Sequence, residues 1–175
     1  MRNKSKTTLL PTRLSMNAKR ILMSVALMIG ASSAAAAQTA NQTVTFQVDA
    51  INQIAFAGSP SLVINTATAG SAPTAATANV TWAVTTNQTG AKITASIGSN
   101  MPAGLTLTVN LTAPTAAGSS AGAQTLSTTS VDLVTGITKL AESGLGVGYS
   151  LSATPAAGVV SSTTRTVTYT ITGGT

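Results

Sequence analysis

From residue 43 onward the dominant pattern is a period of two, in segments where apolar side chains alternate with mostly small or hydroxyl-bearing ones. Val44, Phe46 and Val48 alternate with Thr43, Thr45 and Gln47, and Val80, Trp82 and Val84 with Thr81, Ala83 and Thr85. Ile93, Ala95 and Ile97 follow the same rule, as do Leu105, Leu107, Val109 and Leu111, then Val147, Tyr149 and Leu151, and finally Val167, Tyr169 and Ile171. Successive side chains of an extended backbone point to opposite faces, so each segment buries one face and wets the other. After residue 37 no segment carries a convincing helical stripe; the tract from Thr138 to Ser143 has room for one helical turn and no more.

Shorter strands are expected at Ile51–Ala57, Leu62–Ile64, Gln124–Ser127 and Val131–Val134. Between the segments stand turn-forming clusters such as Gly58-Ser59-Pro60, Asn87-Gln88-Thr89-Gly90 and Gly98-Ser99-Asn100. Eight to ten half-buried strands with such punctuation predict an all-β fold, an antiparallel two-sheet Greek-key sandwich of immunoglobulin-like type. That number of strands is enough to complete a sandwich. A parallel sheet would need strands apolar on both faces with helices between them. A transmembrane β-barrel also alternates, but Phe46, Phe56, Trp82, Tyr149 and Tyr169 are too few to build two aromatic girdles.

The wet faces are made of hydroxyls and not of charge. Residues 38–175 hold 29 threonines, while charged residues make up only 7% of the whole chain. Threonine keeps β propensity through its branched Cβ and offers a hydroxyl to water, so it builds a neutral solvated face. A flat hydroxyl lattice for ice or a crystalline polysaccharide is the sharper alternative, though no fixed-period repeat supports it. Charge is also one of the devices that block edge-to-edge pairing, and few residues here supply it.

The formal charge of +6 is concentrated at the start of the chain. Arg2, Lys4, Lys6, Arg13, Lys19 and Arg20 precede the apolar run Ile21–Ile29, which is followed by Gly30 and the tract Ala31–Ala37. A basic stretch, an apolar run shorter than a bilayer span and an Ala-x-Ala end predict a secretory signal peptide over residues 1–37, with Met16 as an alternative start. Residues 38–175 then form one domain of balanced charge: Lys92, Lys139 and Arg165 against Asp49, Asp132 and Glu142. Electrostatic attraction to nucleic acid loses its basis there, and no stable membrane span is expected after cleavage. The expected destination is the periplasm, the cell surface or the medium. The sequons at Asn41, Asn79, Asn87 and Asn110 are of the kind that arise by chance in a threonine-rich chain.

With neither cysteine nor histidine, the chain has no disulfide and no thiolate or imidazole chemistry. The groups left for proton transfer are the six charged residues just named, with Tyr149 and Tyr169. No motif sets Lys92 or Lys139 beside a particular serine, and no acidic run resembles a calcium loop. Gly144, Gly146 and Gly148 precede a strand where a phosphate-cradling loop requires a helix, so they read as sites of close packing or a bulge. No catalytic, cofactor or metal residue is expected. Trp82, flanked by Val80 and Val84, is expected to anchor the core, with an exposed sugar-stacking role as the alternative. Tyr149 and Tyr169 face inward, with hydroxyls expected to reach backbone groups at the rim.

The leader, the threonine-rich alternating strands and the last strand Arg165-Thr166-Val167-Thr168-Tyr169-Thr170-Ile171-Thr172 together resemble exported bacterial surface sandwiches, including pilin-like subunits. The likeness lies in texture across most of residues 38–175. Fimbrial subunits of the chaperone-usher type polymerise by inserting an alternating N-terminal segment into a neighbour. The resemblance implies such a donor at Gln42–Asp49, with Val44, Phe46 and Val48 as the inserted side chains. The expectation is a non-enzymatic exported structural protein: a surface or matrix component, or a fibre subunit that associates with its own kind or with other surface proteins. The alternative is a module that binds a glycan or another surface polymer.

Overall fold

The computed structural model describes residues 37–175, so the leader expected over residues 1–37 lies outside the described residues apart from Ala37. The chain divides into two units at Phe46 and Gln47. Within the first, residues 37–46 carry neither strand nor helix and are exposed. The second, from Gln47 to Thr175, is all-β.

Nine strands follow in order: β1 (Asn52–Ala57), β2 (Ala76–Thr86), β3 (Ala91–Ile97), β4 (Leu105–Leu111), β5 (Ser119–Ser120), β6 (Gln124–Thr125), β7 (Val131–Ile137), β8 (Leu140–Ala153) and β9 (Val167–Thr172). One sheet has the order β1-β2-β8-β4-β6 and the other β5-β7-β3-β9, with every pair antiparallel. An immunoglobulin constant-type sandwich sets its strands A, B, E and D in one sheet and C, F and G in the other. Here β1, β2, β8 and β4 take the first four places, and β3 and β9 take those of C and F. Among the described residues, nothing pairs with the far edge of β9, where strand G would lie.

The core fills the space between the sheets. Trp82, Val84, Ile93, Val109, Leu111, Leu133, Val134, Ile137 and Val147 are fully buried. Trp82 is 1% exposed, and its indole N–H donates to the Thr112 carbonyl at 3.2 Å. It is the core anchor that its flanking valines predict, and neither face of the ring is open to stack on a sugar.

Four local expectations are corrected. Val44–Val48 forms no strand, although its alternation is as regular as that of β4. Isolated strands have no partner for their backbone groups, and pattern alone does not supply one. Leu62–Ile64 is likewise not a strand, yet both side chains are half-buried and Leu62 packs on the core. Thr138–Ser143 is not a helical turn: Thr138 and Lys139 form the tight link between β7 and β8, with Lys139 at φ 39°, and β8 is already under way at Leu140. The hydroxyls of Tyr149 and Tyr169 bond to each other and not to backbone groups. The glycine run behaves as expected, because the register between β2 and β8 shifts between Trp82 and Val84, opposite Ser143 and Gly144. Gly144, at φ 73°, accommodates that bulge.

Candidate functional site

Because β9 has no outer neighbour among the described residues and β1 ends its own sheet, one side of the sandwich is left unfinished. At one end of this side the two strands converge: Gly173 lies against Asn52, and the Phe56 and Tyr169 rings stack with centroids 3.9 Å apart. Next to that stack lies a groove of about 1320 Å³. Ile54 and Phe56 form its β1 wall, and Val167 and Tyr169 its β9 wall. Leu107, Tyr149 and Leu151 line its floor, and Leu62, Ile64 and Arg165 its rim.

The burial pattern shows what the groove lacks. Both β1 and β9 alternate half-buried with exposed along their whole length, while the inward residues of β3 are all buried. Val63 and Val160, on the rim, are 68% and 41% exposed. Three more of the chain's exposed large apolar side chains are Val44, Phe46 and Val48, at 72%, 88% and 78%. The last three stand along one short segment. The base of that segment is held: Asn87 donates through its side-chain amide to the Asp49 carbonyl at 2.7 Å and accepts from the Ile51 N–H at 2.8 Å.

Under the groove, the Tyr149 and Tyr169 hydroxyl oxygens stand 2.5 Å apart. Burial pushes both phenols above the usual tyrosine value. For Tyr169 the hydroxyl of Tyr149 pushes the same way, whereas for Tyr149 the shared bond works against burial. Both are neutral at physiological pH, so the aromatic wall of the groove carries no charge.

The charged residues considered for chemistry are dispersed. Lys92 on β3 pairs with Asp132 on β7 at 3.0 Å, with both side chains about half exposed. Glu142 accepts from the N–H and the hydroxyl of Thr115. The Asp49 carboxylate accepts from the Gln47 side chain at 2.7 Å. Lys139 sits in its turn, its N–H bonded to the Gln88 carbonyl. Among the described residues no three of His, Cys, Asp and Glu come together in a metal-holding group, and no helix is long and apolar enough to cross a membrane.

Among the described residues, Arg165 alone of the cations lines the groove. Its guanidinium donates to the Thr164 carbonyl at 2.9 Å and, at 3.4 Å each, to the Thr163 hydroxyl and the Asn100 carbonyl. Its Nε is buried without a hydrogen-bond partner. The alternation around Phe56 and Tyr169 was legible as inward-facing pattern. That the two strands flank a gap depends on pairing across the sheet, which period-two alternation does not encode. No protein-family profile matches the chain, and no curated protein matches it.

Proposed function

We propose that this chain is an exported, non-enzymatic structural subunit that joins copies of itself by strand addition, with residues 42–49 as the added strand. The observation that carries the reading is the unfinished side of the sandwich: two half-buried strands, an unpaired edge on β9 and an apolar groove between them. A strand with apolar side chains at every second position satisfies both needs, hydrogen bonds for the edge and side chains for the groove. Val44, Phe46 and Val48 have that spacing, lie exposed and stand outside both sheets. The six balanced charges of residues 38–175 leave little to block pairing at the edge. Export rests on the leader reading of residues 1–37.

The test compares the exported product of the full gene with a variant lacking residues 38–49, by size-exclusion chromatography and electron microscopy. The full product forms oligomers or fibres; the shortened one is a folded monomer that binds a synthetic peptide of residues 42–49. If both stay monomeric at high concentration, strand addition is wrong. Glycan binding is the second reading, favoured by the Phe56 and Tyr169 rings on the groove wall. Binding to a glycan array that is lost in Tyr169→Ala, with the fold intact and no self-assembly, would establish it instead.

A further inference from the structure

The reading just proposed leaves open which way the added strand runs and what fixes its register; the charges on the chain answer both, and this inference rests on that reading. The chain has three acidic residues. Asp132 is paired with Lys92, and Glu142 holds the Thr115 N–H and hydroxyl. Asp49, directly after Val48, meets no cation among the described residues. Arg165 likewise faces no carboxylate, and it stands at the mouth of the groove with a buried, unpartnered Nε. We propose that Arg165 receives the Asp49 carboxylate of a second copy, and that this ion pair sets the added strand antiparallel to β9.

Direction follows from position. Arg165 precedes β9, so a segment running antiparallel to β9 brings its C-terminal end, and Asp49, to that mouth. Val44 then lies opposite Tyr169, Phe46 opposite Val167 and Val48 at the level of Arg165, with Asp49 just beyond. Three consecutive apolar side chains thereby occupy the stretch where the groove is open, and none falls at Ile171, which does not line it. Run the other way, the segment leaves Asp49 at the closed end beside the Phe56–Tyr169 stack, and Arg165 unmatched.

The same geometry makes the pairing intermolecular. Asn87 ties the Asp49 carbonyl and the Ile51 N–H down, and the next residue, Asn52, lies against Gly173 at the far end of β9. A segment folding back from that anchor into its own groove would run parallel to β9. The six residues of β9 would then separate its Asp49 from Arg165 by about 20 Å. Only another copy can deliver Asp49 to Arg165.

Cysteine cross-linking tests direction without disturbing either charge, since the chain has no cysteine of its own. Full chains carrying Thr43→Cys or Gln47→Cys as donors are mixed with full chains carrying Thr170→Cys or Thr166→Cys as acceptors, under mild oxidation. Disulfides require Cα atoms within about 7 Å, and positions 166 and 170 lie roughly 13 Å apart along a strand. The expected heterodimers are 43 with 170 and 47 with 166. Formation of 43 with 166 and 47 with 170 overturns the proposal while leaving strand addition standing. For the charges, Asp49→Asn on the exposed donor and Arg165→Glu on the acceptor each weaken assembly about tenfold. Asp49→Arg donors restore assembly with Arg165→Glu acceptors, while Lys139→Glu changes nothing. If assembly is intact and indifferent to all of these charges, the ion pair is wrong. If the parent chain never assembles and never cross-links, the underlying reading has failed and this one with it.

Discussion

Where β3 and β7 face β4 and β8, Ile93, Val109, Leu111, Leu133 and Ile137 are fully buried; across the same core, Ile54, Phe56, Val167 and Tyr169 on β1 and β9 are only half-buried. Both regions have the same alternating sequence texture. The difference lies in neighbours: β3 has a strand on each side, whereas β1 and β9 each have one. A strand's pattern establishes which side chains face inward, and its partners decide how far those side chains leave water. Close packing therefore belongs to the finished side, and half-wet apolar surface to the unfinished one.

Truncating one side chain in each region separates the two. Ile93→Ala, in close packing, lowers the free energy of unfolding by about 2–5 kcal/mol. Ile54→Ala costs about 1 kcal/mol, because its half-wet site loses less apolar burial and water enters the space left. Urea unfolding measures both, and equal losses would show the two sides to be equally packed. Repeating the Ile54→Ala measurement with the peptide of residues 42–49 bound sharpens the contrast, since its cost rises once the groove is covered.

Alkaline pH acts on the unfinished side next. Tyr149 and Tyr169 titrate above the usual tyrosine value in the fold and at about 10 in the unfolded chain. A raised folded-state value means that the stabilisation is complete below pH ~10 and is lost as pH climbs toward the folded-state values. Each tyrosine contributes a slope of at most about 1.4 kcal/mol per pH unit in that window. Thermal unfolding midpoints drop above pH ~10, and Tyr149→Phe with Tyr169→Phe flattens the drop. The smallest effect belongs to Lys92→Ala. That pair is about half exposed, so its loss shifts stability by less than about 1 kcal/mol, and added salt reduces even that.

Much of this was legible from residue types alone. The branched and aromatic runs of β2, β3, β4 and β9 announce both the strands and their buried faces, and the valines beside Trp82 announce its place in the core. Less legible was anything decided by long-range pairing. Val44–Val48 has the texture of β4 without a partner strand, and Leu62 packs on the core without belonging to a sheet. The start of β8 was hidden because Ala141, Glu142, Ser143 and Gly144 are poor strand formers, held extended by pairing with Val84–Thr86 and by the bulge opposite Ala83. The groove itself has no local signature, because an absent neighbour leaves no mark on the sequence beside it.

The hold of Asn87 on Asp49 and Ile51 has a mechanical consequence. A pull on the stretch just before β1 meets the two Asn87 hydrogen bonds, at Asp49 and Ile51, before it meets the first pair of β1 with β2. Pulled along its own axis, β1 resists with all of its bonds to β2 sharing the force, from Asn52↔Thr86 to Ala57↔Thr81, where a peeling pull would break them one at a time. Were copies joined through residues 42–49 as proposed, Asn87 would be the first contact that stretching loads.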